Sequence, residues 1–311
     1  MFVVCGEALW DFFGRESATG LTFDARLGGS PFNVAVGLAR LGRSAALLTG
    51  LSTDRLGQRL YEALERERVA TSYLRRTARP TTLSLVDLGP DGSPVYAFYG
   101  NDAADRSLQA DALPPIGTDV WGIHAGSYSL VADPTGASLL DLFGRQKGER
   151  LLTLDPNVRL TVEPDLDIWR ARVGAFVALS DLVKVSEEDL ELLFPGRSPE
   201  DAASTWLEAG AALVIVTRGR TGAVAFGGFG SITEAGRPVE VADTVGAGDS
   251  FMAATIACLA ETGVRSRQAL AAFDGADVGR LLAFASDAAA ITCTRRGADL
   301  PRRSELAPAA G

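Results

Sequence analysis

Two aspartates, Asp243 and Asp249, stand six residues apart around Gly246-Ala247-Gly248 in the stretch "DTVGAGDSF". Glycines weaken a fold, so a run of them marks a place where bare backbone is needed. The small apolar residues that follow read as a buried helix from about Gly248 to Thr262, with Gly263 as its C-cap. The first amides, at Gly246, Ala247 and Gly248, then have no intrahelical carbonyl to bond. They make an anion-binding nest at the positive end of a helix. A carboxylate beside such a nest repels a phosphate that is merely held there. Asp249 makes sense if it takes a proton from a nucleophile attacking the bound phosphoryl group. Read alone, it can equally do no more than favour the first helical turn. The string is neither a Walker motif nor a GxGxxG dinucleotide fingerprint.

Strands and helices must bring this loop to its partners. "FVVC", "AALLTG", "RLLTLDPN", "DLVKVS" and "ALVIVTRG" are short apolar runs, as expected of strands buried on both faces of a parallel sheet. Helical patterns separate them, at roughly 135–146, 167–179, 187–193 and 199–209. This alternation predicts an α/β fold with a three-layer α/β/α core, whose ligands sit at the carboxyl ends of the strands. Asp155, Asn157, Ser186 and Thr217 fall at that edge, and His124 in "GIHAGSYSL" reads as ending a strand on the same side. For a lone histidine the alternatives are a satisfied core residue and a ligand contact. "SPFNVAVGLARLG" reads as a helix with Ser30 as cap, Pro31 in its first turn and Gly42 at its end. "TTLSLVDLGPDGSPVYAFYGND" reads as a hairpin, which with "LWDFF" and "GLTFDARLGG" can form a small second sheet or else edge the main one. The tail "RRSELAPAAG" is expected to fray.

Composition narrows the function classes. The 311 residues are 47% hydrophobic and 22% charged, with a formal net charge of −9. This is an ordinary globular composition, and the negative balance disfavours nucleic acid and anionic membrane as partners. Three widely spaced cysteines without a CxxC pair read as buried reduced thiols in a cytoplasmic protein. No run is long and apolar enough to suggest a membrane span, and "MFVVCGEALW" lacks the pattern of a signal peptide.

The whole string from Asp243 to Phe251 resembles the D-T-x-G-A-G-D-x-F signature of the ribokinase-like (PfkB) carbohydrate kinases. "GGSPFNVAVGLARLG", "DPNVR", "VKVSEEDL", "VTRGRTGA" and "AAITCTRRGA" resemble further family segments in the family's order, so the likeness covers most of the chain. Within the family, fructokinases resemble it at "GEALWDF", "GGSPFN", "ADR" and "VKVSEED". The resemblance implies one ribokinase-like kinase domain over 1–311, with a β-sheet lid from segments of about 10–27 and 81–103. It implies Asp249 as base, and Gly246, Ala247 and Gly248 as the anion hole. Asp11, placed at the end of the first strand, Gly28, Gly29, Asn33, Arg106 and Arg159 would meet the sugar. Lys184, a buried-strand lysine that is costly unless it emerges in a site, would lie near the ATP phosphates. Thr217, Gly219, Gly222 and Ser286 would border the nucleotide. Ser286 falls where several relatives have Asn.

Ribokinases carry Asn-x-x-Glu where this chain has Ser186-Glu187-Glu188-Asp189. The implied Mg²⁺ role, through water, therefore falls to Asp189 with Glu187. Asp243, the Val245 carbonyl and the loop near Gly297 would hold K⁺, although Asp243 can also simply cap its loop. The implied activity is an ATP-dependent sugar kinase, fructokinase first, phosphorylating the 6-hydroxyl of fructose. The alternatives are a kinase for 2-keto-3-deoxygluconate, ribose or adenosine, and a silent sugar or nucleotide sensor. Exposed Tyr96, Phe98 and Tyr99 would suit a homodimer through the lid.

Overall fold

The chain begins with β1 (Phe2–Cys5), two longer strands, β2 (Leu9–Ser17) and β3 (Gly20–Gly28), and helix α1 (Ser30–Arg40). β4 (Ala45–Leu48), β5 (Gly50–Ser52), α2 (Arg55–Arg66) and β6 (Arg75–Thr77) follow, then β7 (Leu83–Leu88) and β8 (Pro94–Tyr99). From β9 (Gly122–Gly126), helices and strands alternate through α3 (Thr135–Gln146), β10 (Leu151–Asp155) and α4 (Leu166–Val177). β11 (Leu182–Ser186), α5 (Glu187–Leu193), α6 (Pro199–Ala209) and β12 (Leu213–Thr217) continue the pattern. The hairpin β13 (Gly222–Gly227) and β14 (Gly230–Ala235) precedes α7 (Ala247–Glu261), α8 (Arg267–Ala271) and α9 (Gly275–Cys293). This computed structural model describes residues 1–17, 20–88 and 94–307.

Eight strands form the main sheet in the order β14-β13-β12-β11-β10-β9-β1-β4. β12 to β4 pair in parallel, and β13 and β14 extend the edge antiparallel. Successive strand residues point to opposite faces, so each apolar run serves two cores. Val4, Leu47, Leu151, Leu182 and Ile215 pack with residues of α1, α7 and α9. Val3, Leu48, Ile123, Leu152, Val183 and Val214 pack with residues of α3, α4 and α6. Burying each such side chain stabilises the fold by about 1.5–3 kcal/mol.

Local chemistry marks the helix starts. The side chains of Asp54, Asp165, Ser186 and Ser198 accept amide hydrogen bonds at the N-termini of α2, α4, α5 and α6. Asp274 and Asp277 form a capping box on α9.

The second sheet runs β3-β2-β7-β8, and so the hairpin joins β2 and β3 rather than the edge of the main sheet. Its turn, at 90–93, and the Tyr96 side chain lie outside the described residues. Two expectations need correction. Phe98 is half-buried, because its ring packs edge-on against Tyr128 at 5.8 Å; Tyr99 is exposed. Residues 302–306 do not fray: Arg303 donates to Glu261 at 2.9 Å and Leu306 is buried in the core. The last four residues lie outside the description.

Candidate active site

The glycines of "DTVGAGDSF" build the start of α7. Gly246 takes the left-handed conformation at the N-cap (φ 80°), and a Cβ there would lie 2.6 Å from the Ala298 Cβ. Among the described residues the amides of Gly246, Gly248 and Asp249 donate to no protein group. The Ala247 amide departs from expectation, since it closes a turn onto the Thr244 carbonyl at 3.2 Å. The open donors are therefore Gly246, Gly248 and Asp249. α7 is buried from Asp249 through Leu259, so the nest opens from the interior.

Asp249 is nearly buried, and α1 supplies a donor to each of its oxygens. Ser30 Oγ donates to Oδ1 at 2.6 Å, and Asn33 Nδ2 donates to Oδ2 at 2.8 Å. This corrects the reading of Ser30 as a cap. Gly29 (φ 102°) is the N-cap, α1 has no side-chain cap, and Ser30 is the first helical residue. Ser30 and Asn33 lie three apart, hence on one face of the helix. Sequence alone could not separate a capping serine from one that reaches across 219 positions.

Asp11 also arrives by a different route. β1 ends at Cys5, and Asp11 belongs to β2 of the second sheet, opposite Arg26 on β3. Gly28 makes room for it: a Cβ there would lie 2.1 Å from Asp11 Oδ2. Burial raises Asp11 to about 6, with the charge of Asp249 adding to the rise and that of Arg159 opposing it. The Ser84 hydroxyl across the β2–β7 pair eases the rise by proximity, without completing a hydrogen bond of good geometry. Arg159 is exposed, with its guanidinium turned back onto the Val158 carbonyl at 2.9 Å.

A buried ion pair lies under the nest. Lys184 Nζ and Asp155 Oδ2 are 2.8 Å apart, with side chains 5% and 2% exposed. A Cβ on Gly248 would sit 3.0 Å from Lys184 Nζ, so the glycine keeps the ammonium against the helix start. Burial raises Asp155 to about 6 even though Lys184 opposes the shift, and the charges of Asp189 and Asp249 add to it. Asp189 is buried at the start of α5, and its Oδ1 accepts from the Val158 amide at 3.0 Å. It thereby secures the "DPNVR" loop, in which Asn157 has a positive φ of 42°. Glu187 is exposed on the adjoining turn.

Asp243 joins two loops. Oδ1 accepts from the Val245 amide at 3.1 Å and Oδ2 from the Gly297 amide at 2.8 Å. Thr217 ends β12 beside Ser186 of β11. Gly219 opens the next turn (φ 51°), whereas Gly222 packs so closely on β14 that a Cβ would lie 2.0 Å from the Glu234 carbonyl oxygen. Ser286 is buried within α9. Contacts and charge interactions thus link Asp11, Gly28, Asn33, Asp155, Arg159, Lys184, Asp189, Gly248 and Asp249, with Asp243, Val245 and Gly297 anchoring the loop that ends in Gly246. Arg106 has its guanidinium 5.0 Å over the Tyr128 ring.

His124 takes the core alternative, and only its expected place at a strand end is corrected. It lies in the middle of β9, fully buried, with Nδ1 3.0 Å from Thr153 Oγ1. Burial and the neighbouring Lys184 hold it down at about 3, so it is a neutral core residue with no access to a ligand.

A second buried carboxylate group, Glu7 of "GEALWDF" and Asp105 of "ADR", was given no role by the sequence reading. Glu7 accepts from Ser129 Oγ, and Asp105 accepts from Tyr128 OH at 2.6 Å and from Thr82 at the base of β7. Burial raises Glu7 from 4.5 to about 7, against the opposing hydrogen bonds of Ser129 and Ser127. Its folded value exceeds its unfolded one. Its stabilising contribution is therefore complete below about 4.5 and is lost as pH rises through about 7. Glu7→Gln is expected to remove that loss, on the order of 3 kcal/mol between about pH 5 and about pH 8. Denaturant unfolding across that range checks it; a pH dependence equal to that of the unsubstituted protein would refute the assignment.

A carboxylate held by two donors at a buried helix start, with open amides and a lysine beside it, is an arrangement suited to phosphoryl transfer. The chain belongs to the pfkB family of carbohydrate kinases, whose family model matches residues 1–305. It is 36% identical over 275 residues to a fructokinase of Rhizobium leguminosarum bv. trifolii, covering 88% of this chain and 84% of that relative. Its fold superposes on the fructokinase with bound ATP from Xylella fastidiosa with a TM-score of 0.90 at 26% identity, covering 98% of this chain and 96% of the other. A double mutant of the Vibrio cholerae O395 fructokinase, in fructose, ADP and potassium ion bound form, gives a TM-score of 0.80 at 26% identity, covering 96% and 93%. The fold is ribokinase-like: a large, mostly parallel sheet between helices, with a small second sheet. Among the described residues no helix is long and apolar enough to cross a membrane.

Proposed function

We propose that this chain is an ATP-dependent fructose kinase that transfers the γ-phosphoryl group of ATP to the 6-hydroxyl of D-fructose. The observation that carries the reading is the Asp249 carboxylate, held by two donors from α1 between open amides and a buried lysine. The fructokinase relatives, and the fructose- and ATP-bound structures of similar proteins, support the substrate pair.

In this reading the sugar lies between the start of α1 and β2. Asp11 and the Asn33 amide oxygen accept its hydroxyls, the backbone at Gly28 and Gly29 lets it approach, and Arg159 and Arg106 border it. Asp249 takes the proton of the attacking hydroxyl. The Gly246, Gly248 and Asp249 amides, together with Lys184, receive the charge that spreads over the transferring group. Little covalent work is asked of the protein, so positioning and charge neutralisation do the rest. ATP extends past Thr217, Gly219 and Gly222 toward Ser286.

Among the described residues no cluster of three or more His, Cys, Asp or Glu side chains can hold a metal. Mg²⁺ carried by the ATP phosphates would be held through water by Asp189 and Glu187. Such an ion supplies charge neutralisation. The free lone pairs of Asp243, the Val245 carbonyl and the loop near Gly297 would supply hard oxygens of the kind that suits K⁺. Residues 1–311 act as one kinase domain in which the sheet of about 10–27 and 81–103 closes as a lid and excludes water. Leu21, Phe23 and Tyr99 are 57%, 44% and 61% exposed on that sheet, and they fit a homodimer formed through it.

A coupled ADP-release screen over sugars and nucleosides, with and without K⁺, tests the reading. Fructose is expected to give the highest kcat/KM, and omission of K⁺ to lower the rate. A better turnover of ribose, adenosine or 2-keto-3-deoxygluconate would replace fructose as the substrate.

A further inference from the structure

We propose that Ser30 is a positioning residue that aims the Asp249 base; the proposal rests on the kinase reading above. Ser30 Oγ donates a hydrogen bond to the buried Asp249 carboxylate at 2.6 Å, within the short range of charge-assisted hydrogen bonds. It makes no capping bond within α1, so its position is not explained by helix formation. Among the described residues Ser30 is the one donor to Oδ1, as Asn33 is to Oδ2. Together they fix the plane of the carboxylate and leave one lone pair free on each oxygen.

The surrounding charges make this restraint necessary. Asp11 on β2 and Asp155 on β10 repel Asp249, while Lys184 on β11 lies against Gly248 next to it. A carboxylate freed on its Oδ1 side is drawn toward the ammonium. There it competes with phosphate for the positive end of α7 and turns away from the sugar hydroxyl. Ser30 holds the base off Lys184. The helix that carries the "GGSPFN" sugar segment thus also orients the base.

The test is steady-state kinetics with the best sugar substrate. Ser30→Ala is expected to lower kcat about 10- to 100-fold, with KM for sugar and for ATP within about threefold of the unsubstituted values. Ser30→Thr, which keeps the hydroxyl, is expected to recover most of the loss. If the alanine variant does not fold, Ser30→Cys carries the same comparison, having serine's shape and a weak donor. A kcat unchanged in Ser30→Ala, or in Ser30→Cys where the alanine variant does not fold, overturns the proposal. So does a rise in sugar KM at constant kcat, which would mark a direct sugar contact instead. Failure of the kinase reading is distinct, because the unsubstituted protein would then turn over no sugar at all.

Discussion

Asp249→Asn is expected to lower kcat by about 10²–10⁴-fold, the usual range for removing a general base. The substitution changes little else. Asparagine has the same shape, and its oxygen can accept from Ser30 as the carboxylate does. Its amide group would meet the Asn33 amide donor, but a flip of the Asn33 side chain turns that contact into a hydrogen bond. ATP affinity, read by calorimetry, should stay within about threefold, because the open amides and Lys184 remain. Loss of one negative charge beside the nest can even tighten it. A variant that keeps more than about a tenth of the activity would mean that proton removal is not what Asp249 contributes.

Lys184→Met is expected to have the next largest effect, lowering kcat/KM for ATP by about 10²–10³-fold. The ammonium lies against Gly248, where the proposed mechanism needs positive charge to balance the transferring group, and methionine brings none. Stability should suffer less than activity. Breaking a buried pair costs about 3–5 kcal/mol when the partner keeps its charge. Burial already raises Asp155 against the opposing charge of Lys184, however, so without the lysine it rises further and takes up a proton more readily. A Lys184→Met, Asp155→Asn double variant should therefore be as stable as the single one near neutral pH and equally inactive. Recovery of activity in the double variant would show that the single loss came from a stranded Asp155 carboxylate rather than from missing positive charge.

Much of this was legible in the chain itself. The alternation of buried apolar runs with helical patterns determined the three-layer core, because a strand covered on both faces leaves a continuous apolar run. Helix ends at Pro199, Gly42 and Gly263 could be read from residues with restricted or permissive backbones. Asp249 and its glycines were legible for the same reason: a helix start is a local object, and its open amides follow from adjacent residues.

What only the tertiary structure decided are the partnerships over long separations. Ser30 reads as a cap in sequence and reaches Asp249 in space. Asp11 reads as the end of a strand and comes instead from the second sheet, into the space that Gly28 leaves. His124 reads as a site-edge residue and is buried in the middle of β9. Lys184 reads as a strand lysine that must emerge in a site, and in space Asp155 and Gly248 close around it. In each case the residue type shows which bond can be made. Which partner it finds depends on how α1, α7 and the two sheets pack, and that packing is not written in the neighbouring residues.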